Sequence, residues 1–355
     1  MHQDIRNILE AAILAPSGEN SQPWKFKIKG LAIQLHNVSE RDTSLYNWSQ
    51  RGSDVANGAA IENIIIASMQ YGYLPTVNLF PDSQNRNFVA EILLTKSHTE
   101  KDDLYSYIPK RITNRKAYKD LELKKEEIDQ LKKSVDEIGY GKLLLSQDKS
   151  DKSMLSVAGS VNEKIMFNNP YLHDFFFSHI NWNKKEDMEK KVGFFIDTLE
   201  LPPPAKVAFR IFKHWSVMKI LNKIGINKAI SKQNAKTYAS AAAIGIIVAE
   251  GNEPKDFVMT GRVMQRMWLK ATKFGLSIQP LTGGLFFMLQ VLADQTNKFT
   301  DEQVKDIREA YRVIENIFNL KNQTVPFMFR IGRSDAPSAR SSRYTLDVVT
   351  EIENA

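Results

Sequence analysis

The chain has 355 residues, of which 43% are hydrophobic, so it can bury a sizeable core and is longer than one typical compact domain. Its 48 Lys and Arg residues exceed its 41 Asp and Glu residues, which gives a formal net charge of +7 at pH 7. This excess is too small and too dispersed to indicate a nucleic-acid-binding protein, although it can steer anionic ligands. The lack of cysteine excludes disulfides, thiolate nucleophiles and metal sites built on cysteine.

Hydrophobic periodicity predicts helices and strands in two groups along the chain. The first group is a helix near 5–13, strands at 24–28 and 31–38, a helix at 53–71, and strands at 77–80 and 88–94. A polar seam follows at 96–103. The second group is a helix at 124–137, strands at 142–146 and 241–249, helices at 261–274 and 301–318, and a strand at 325–331. We therefore predict two units, residues 1–103 and 104–355.

The segment 162–233 departs from this pattern and is the least regular part of the sequence. It is rich in aromatic residues, contains Pro202-Pro203-Pro204 and carries a basic amphipathic stretch at 207–232. Long connections inside a compact unit are usually lids or binding elements. A basic amphipathic stretch can also lie on a membrane surface. We predict that residues 162–233 form a lid and keep the membrane surface as the alternative.

The sequence also bears on the compartment of the protein. The stretch from Met1 to Asn20 has Asp4 and Glu10 around only a short apolar run, which is a poor match to a secretory signal. No stretch approaches the roughly 20 continuous apolar residues that a membrane span needs. We expect a cytoplasmic protein without stable membrane insertion.

The sharpest local motif is the loop Ala15-Pro-Ser-Gly-Glu-Asn-Ser-Gln-Pro-Trp24, of the form A-P-S-x-x-N-x-Q-P-W. It connects a predicted helix to a predicted strand. Such a loop offers backbone N–H groups and short polar side chains to the rim of a planar polar ligand. Its composition alone is equally that of an ordinary turn.

A second motif is Arg111-Ile-Thr-Asn-Arg-Lys-Ala-Tyr118, in which two arginines bracket Thr113. Arginine can bind phosphate through two parallel hydrogen bonds, and a threonine hydroxyl can add a third. A basic surface segment ahead of a solvated helix is the alternative. Two further segments, Gly275–Gly284 with its Gln-Pro-Leu-Thr-Gly-Gly end and the basic tail Arg330–Arg343, are weak signals when taken singly.

Taken in this order, the four segments resemble the FMN-dependent nitroreductase family. In an ordinary member each subunit carries all of them, and a dimer shares two flavin sites between its chains. Here the loop occurs only in the first half and the arginine motif only in the second, which resembles the Acg-type subfamily of fused, duplicated chains. The resemblance implies an α+β, nitroreductase-like fold with two fused halves. These would form a pseudo-dimer of antiparallel-type sheets flanked by helices, with one asymmetric flavin site. A monomer would suffice, and further dimerisation stays open.

The resemblance also implies which residues would bind FMN. The loop would line one side of the flavin with Pro16, Ser17, Gly18 and Asn20. The isoalloxazine would lie along Pro280, Leu281, Thr282 and Gly283, with a backbone N–H of Thr282 or Gly283 near N5. Many nitroreductases have an acidic residue where Thr282 stands, which puts the hydrogen bonding at the flavin edge in doubt.

The second half would hold the polar end of FMN. The phosphate, ribityl chain or pyrimidine edge would be contacted by Arg111, Thr113 and Arg115. The phosphate clamp would be completed by Arg343 and Arg340, and the pyrimidine edge by Gln233 and Lys236.

In the family FMN carries the chemistry, with NAD(P)H as donor and a nitroaromatic, a quinone or a similar small molecule as acceptor. Such a site needs no side-chain nucleophile and no metal ion. A closed lid would instead exclude the nicotinamide and leave a protein that stores, sequesters or senses FMN without turnover. The sequence keeps both functions open and favours the enzyme slightly.

Overall fold

The protein is described by a computed structural model, which covers residues 1–98 and 100–353. Two main sheets of five and four strands, both largely antiparallel, are flanked by helices, and a third sheet has only two short strands. The predicted α+β class with antiparallel sheets is therefore confirmed. The boundary between residues 103 and 104 stays a prediction.

The first sheet has five strands in the order β11-β1-β2-β4-β3. The elements of this part are α1 (Gln3–Ala12), β1 (Trp24–Lys29), β2 (Ala32–Asn37), α2 (Arg51–Gln70), β3 (Tyr73–Leu79), β4 (Phe88–Lys96) and, from the end of the chain, α13 (Leu346–Val349) and β11 (Thr350–Ile352). β11 runs parallel to β1, with Thr350 opposite Phe26, whereas the other pairings are antiparallel. The carboxyl-terminal strand therefore completes a sheet that otherwise comes from the first hundred residues.

The second sheet has four strands in the order β5-β8-β10-β9. Its strands and helices are α3 (Lys125–Asp136), β5 (Lys142–Ser146), α4 (Lys149–Met166), α9 (Ile226–Ala239), β8 (Ala243–Ala249), α10 (Pro254–Lys273), β9 (Ser277–Pro280), α11 (Gly283–Leu292), α12 (Asp301–Phe318) and β10 (Thr324–Gly332). β8 is buried along its whole length, as its unbroken run of small and aliphatic residues predicts.

Helices α2 and α10 cross at the centre of the molecule and join its two parts. Their backbones meet at Gly58 and Gly261. A Cβ atom at Gly58 would lie 1.9 Å from the carbonyl oxygen of Val258, and one at Gly261 would lie 2.0 Å from that of Val55. Only glycine permits such a close approach between backbones. Gly58 and Gly261 thus allow the two helices to pack closely.

Polar contacts along the same crossing add to the packing. Glu62 of α2, which is buried, accepts hydrogen bonds from Arg262 at 3.1 Å and Arg266 at 2.9 Å. The amide of Gln265 donates to Asn63 across the interface at 2.7 Å. These paired groups fix the register of the two helices, because a buried polar group without a partner is costly.

The segment 162–233, the least regular part of the sequence, is helical over most of its length. Between α4 and α9 it contains the short elements α5 (Pro170–Ser178), β6 (Ile180–Asn181), α6 (Lys184–Lys190), β7 (Phe194–Phe195), α7 (Pro203–Phe212) and α8 (Trp215–Lys223). Short helices give too few turns for a clear apolar period. The proline run misleads for another reason: Pro202 caps α7 and Pro203 occupies its first turn, where proline is favoured.

The helices α5 to α8 and the short strands β6 and β7, which we call the lid, have an apolar core of their own. Phe167, Phe176, Phe177 and Phe209 pack in tilted and edge-to-face arrangements, with ring centroids 5.3–6.3 Å apart. Such pairs stabilise beyond the area that they bury. None of the helices in the part of the chain that the structure describes is long and apolar enough to cross a membrane.

Candidate functional site

A cavity of about 380 Å³ lies between the two parts of the molecule and under the lid. The first part contributes the loop after α1. The second part contributes Thr113, Arg115, the end of β9 and the start of α11. The sequence-predicted residues that line the cavity are Pro16, Ser17, Gly18, Thr113, Arg115, Pro280, Leu281, Thr282 and Gly283.

The loop after α1 is held in a strained backbone conformation. Glu19, Asn20 and Gln22 have φ angles of +45°, +58° and +50°, in the left-handed region that non-glycine residues rarely adopt. The hydroxyl of Ser17 accepts a hydrogen bond from the backbone N–H of Gln22 at 3.0 Å. Such strain persists only where the surroundings fix the conformation, and it is concentrated at functional sites.

The opposite wall is built by pairing the arginine motif with β9. The backbone N–H of Asn114 donates to the carbonyl oxygen of Ile278 at 3.1 Å. Thr113 forms an isolated parallel β-bridge with the same residue, Ile278. Buried Arg330 donates to the side chain of Gln279 at 2.8 Å and to two backbone carbonyl groups. This network brings Thr113 and the 280–283 turn, which lie far apart in the sequence, to one wall.

Arg111, Arg340 and Arg343 form a cluster of positive charge beside the cavity. Arg111 is buried and stacks on Trp268, whose side chain lines the cavity, with its guanidinium carbon 4.7 Å from the ring centroid. It donates to the carbonyl oxygen of Leu14 at 3.0 Å, but its Nε has no partner within the described residues. Burial, followed by the charges of Arg343 and Arg340, lowers the pKa of Arg111 well below its usual value.

The rest of this arginine cluster is also electrostatically unsatisfied. Burial, followed by the charge of Arg340, lowers the pKa of Arg343 to about 10. Neither Arg340 nor Arg343 forms a salt bridge in residues 1–98 and 100–353. Arg340 and Arg343 both lower the pKa of Arg111, and Arg340 lowers that of Arg343, so an anion beside these groups would be stabilised. The cluster therefore suits a phosphate group.

Asn20 does not line the cavity but fastens the lid. Its side-chain amide donates to the carbonyl oxygens of Lys191 in the lid and Ser342 in the tail, both at 2.9 Å. Gln22 donates to Lys191 at 2.7 Å, and the N–H of Gly193 donates to the carbonyl oxygen of Glu19 at 2.8 Å. The loop motif thus connects the lid, at residues 191–193, to the tail, at Ser342, although all three are remote in sequence.

Gln233 and Lys236 are exposed and do not line the cavity. The residues of α9 that do so are Ile230, Asn234, Thr237 and Tyr238. Their spacing follows the 3.6-residue period of one helix face. Gln233 and Lys236 point away from that face, so the structure does not support their assignment to the pyrimidine edge.

Glu19, Asn162 and Glu163 also line the cavity, and the sequence analysis missed them. Each has a buried oxygen with no hydrogen-bond partner among the described residues: Oε2 of Glu19, Oδ1 of Asn162 and Oε2 of Glu163. Burial and the neighbouring Asp42 raise the pKa of Glu19 well above its usual value. A ligand that brought hydrogen-bond donors would satisfy these oxygens.

Glu163 is held by α4 and α9 together. Tyr238 donates its hydroxyl to Glu163 at 2.9 Å, and Asn162 donates its side-chain amide at 3.1 Å. Burial raises the pKa of Glu163 to about 7, although both hydrogen bonds favour the carboxylate. α4 also presses against the turn after β9, because a Cβ atom at Gly283 would lie 2.3 Å from Asn162 Oδ1.

We expect Glu163→Gln to flatten the pH dependence of stability. In the unfolded chain a glutamate ionises near pH 4.5, whereas Glu163 in the fold ionises near pH 7. The folded state therefore holds a proton that the unfolded state has lost, so stability falls as the pH rises between these values. The fall is expected to reach up to about 3 kcal/mol in the parent protein and to be smaller by that amount in the variant. Urea denaturation from about pH 4 to about pH 8 measures it. Exposed Glu189→Gln serves as the control, and parallel curves for parent and Glu163→Gln would refute the assignment.

We expect Asn20→Gly to loosen the lid. Glycine tolerates the left-handed backbone, so the substitution removes the two side-chain hydrogen bonds without adding strain. We expect a loss of about 2 kcal/mol and faster cleavage between residues 180 and 215 in limited proteolysis. Asn319→Gly is a matched control, because Asn319 is also left-handed, with φ of +51°, and ends α12 at an exposed position. Equal cleavage rates for the two variants would argue against the fastening role.

Comparison with known proteins gives a partial relationship. No family model matches the chain. The uncharacterised protein MT1398 of Mycobacterium tuberculosis is 27% identical over 281 residues, which cover 78% of this chain and 38% of that protein. Two proteins of the same species, "Putative NAD(P)H nitroreductase MT3217" and "Putative NAD(P)H nitroreductase Rv3131", are each 30% identical over 120 residues, 33% of this chain and 34% of each relative. The chain thus spans little more than a third of the length of these relatives.

Solved structures give weaker likenesses. The FMN-dependent nitroreductase NfnB of Mycobacterium smegmatis, in complex with NADPH, is 12% identical with a TM-score of 0.41, over 70% of this chain and 96% of that one. A nitroreductase of Bacteroides fragilis with bound FMN is 11% identical with a TM-score of 0.33, over 69% and 95%. The sequence similarity is a firmer result than these structural likenesses. Across 33% of its length, the chain is similar to proteins named as nitroreductases.

Proposed function

We propose that the protein binds FMN in the cavity under the lid and acts as a nitroreductase-type oxidoreductase of the fused, pseudo-dimeric kind. The observation that carries the proposal is an arginine cluster that forms no salt bridge in residues 1–98 and 100–353, beside a cavity lined by the loop and by the 280–283 turn. The names of the Mycobacterium tuberculosis relatives support the same assignment and suggest NAD(P)H as the electron donor.

The donor set of the site fits FMN. Arg111, Arg340 and Arg343 would hold its phosphate, because three guanidinium groups that form no salt bridge with any described residue match a dianion. The turn Pro280–Gly283 would lie along the isoalloxazine. The unpartnered oxygens of Glu19, Asn162 and Glu163 match a ligand that carries N–H and O–H donors, as the flavin ring and ribityl chain do.

When bound, FMN supplies hydride transfer between a nicotinamide and an acceptor such as a nitroaromatic or a quinone. The chain's own residues bind and orient the reactants and exclude water. The aromatic side chains of the lid that face the cavity include Phe175, Phe176, Phe194 and Phe209. They offer an apolar surface to a planar acceptor. Positive charge at the arginine cluster favours anionic ligands at that end of the site.

The lid also supports a second candidate function, the storage or sequestration of FMN. Besides its bonds to the loop, the lid accepts a hydrogen bond at the carbonyl oxygen of Thr198 from Arg115 at 3.0 Å. A lid held on both sides could exclude the nicotinamide. The two functions differ only in whether bound flavin reacts.

An anaerobic titration of the reconstituted protein separates these functions. The enzyme is expected to show flavin absorbance at one FMN per chain, bleaching by NADH or NADPH, and recovery when a nitroaromatic or a quinone is added. Flavin that binds and stays oxidised would indicate storage, and Asn20→Gly should then restore bleaching by loosening the lid. Failure to bind FMN would refute both functions.

A further inference from the structure

The outer surface of the lid combines exposed aliphatic side chains with positive charge. Val207 and Ile211 on α7 are 63% and 52% exposed, and Ile220 and Ile224 at the end of α8 are 66% and 77% exposed. Each pair is four residues apart, so its members lie on one face of a helix turn. We call these four side chains, together with the exposed cations Arg210, Lys219, Lys223 and Lys228, the lid surface.

These aliphatic residues do not lie on the inner faces of their helices. The inner faces carry Phe209, Phe212, Trp215, Met218 and Leu221, which pack on the apolar core of the lid. α7 and α8 therefore have apolar residues on two sides, and only one side is covered within the described residues. Exposed Ile and Val at 50% or more in four nearby positions exceed the scattered exposure that is normal for a surface.

The charged residues in this stretch of the sequence have one sign. The sequence from Leu201 to Ala249 contains no Asp and no Glu, and its cations are Lys206, Arg210, Lys213, Lys219, Lys223, Lys228, Lys232 and Lys236. Lys206 pairs with Asp197 at 2.6 Å. Arg210, Lys219, Lys223 and Lys228 are exposed and form no salt bridge with any described residue.

The composition of the lid surface distinguishes between possible anionic partners. Interfaces with proteins are enriched in Arg, Tyr and Trp and depleted in Lys, whereas here all the cations but one are lysines. Nucleic acid would leave the four aliphatic side chains without a partner. An anionic lipid surface satisfies both parts, because aliphatic side chains enter the acyl boundary while lysines reach the head groups.

We propose that the lid surface docks on the surface of a membrane that contains anionic lipids. Val207, Ile211, Ile220 and Ile224 enter the interface, and the exposed cations Arg210, Lys219, Lys223 and Lys228 contact the phosphates. The helices lie on the bilayer and do not cross it.

Vesicle binding by the full chain tests this proposal. We expect the protein to co-sediment with phosphatidylcholine–phosphatidylglycerol vesicles at low salt, and to bind pure phosphatidylcholine at least about tenfold more weakly, since each nearby lysine adds to the attraction. Raised ionic strength should weaken binding. The double substitution Ile220→Ser with Ile224→Ser should reduce affinity for the anionic vesicles by about tenfold or more, because both side chains lose apolar burial.

Matched controls make the result decisive. Leu74→Ser changes an aliphatic residue that is 52% exposed on β3, away from the lid, and should leave binding unchanged. The double substitution Lys219→Gln with Lys223→Gln should weaken binding to the anionic vesicles and make that binding less dependent on salt. Circular dichroism checks that each variant is folded. No binding to anionic vesicles, or binding that the isoleucine substitutions leave intact, would overturn the proposal. Equally tight binding to soluble poly-glutamate would also overturn it, in favour of an acidic protein partner.

Discussion

Gly58→Ala is expected to destabilise the protein by about 4 kcal/mol, which is large for the addition of one methyl group. The new carbon would lie 1.9 Å from the backbone oxygen of Val258 and 3.0 Å from the Cα atom of Gly261. Both obstacles are backbone atoms, so no side chain can rotate away. Helices α2 and α10 would have to separate, and the pairing of Glu62 with Arg262 and Arg266 would be lost with the contact.

Urea denaturation of parent and variant measures this effect. Gly284→Ala provides the matched control, because Gly284 also lies in a helix and a Cβ atom there would meet nothing within 4 Å. That substitution is expected to be neutral or to stabilise by up to about 1 kcal/mol, through helix propensity. Equal stabilities for the two variants would show that helices α2 and α10 can separate at little energetic cost.

Arg111→Ala is expected to weaken FMN binding by about 100-fold and to leave riboflavin binding nearly unchanged. Arg111 would contribute charged hydrogen bonds to the phosphate, each of which is worth about 1.5–3 kcal/mol. Riboflavin lacks that phosphate, so its affinity reports on the rest of the site. Flavin fluorescence quenching measures both ligands on the same protein preparation.

Two further variants isolate the role of the charge at residue 111. Arg111→Lys keeps a cation but loses the planar donor fork and the stacking on Trp268, so an intermediate loss of FMN affinity is expected. Exposed Arg308→Ala lowers the net charge equally and should not affect binding. If Arg111→Ala lowers riboflavin and FMN affinity alike, the arginine supports the fold and not the phosphate.

The sequence predicted most of the long elements, because each is long enough to show its period. The helices predicted at 53–71 and 301–318 and the buried strand predicted at 241–249 match α2, α12 and β8 within two residues, whereas the helix predicted at 261–274 covers only the later part of α10. The sequence did not predict α4 or α11. α11 is apolar on nearly every face, so it shows no amphipathic period, and its buried residues include Leu285, Phe287 and Val291.

The candidate site was predicted only in part, because only the residues that belong to a recognisable motif could be found from the sequence. The loop and the 280–283 turn were found because whole motifs carry them. Glu19 lies inside the loop motif at a position that the pattern leaves open, so nothing in the sequence marked it. Glu163 sits on an unpredicted helix, and it reaches the cavity only through tertiary packing against Tyr238. Gln233 was misplaced because the rotation of α9 depends on what it packs against.

The pairing of β11 with β1 bears on how the protein is assembled. During synthesis β1 would expose one unpaired edge until residues 350–352 have left the ribosome, since β11 is its neighbour on that side. The tail that leads to β11 also carries Ser342 and Tyr344, which bond to Asn20 and Gln22 of the cavity loop. Completion of the first sheet and fixing of the cavity loop therefore both depend on residues 342–352, which are remote in sequence from the strand and loop that they contact.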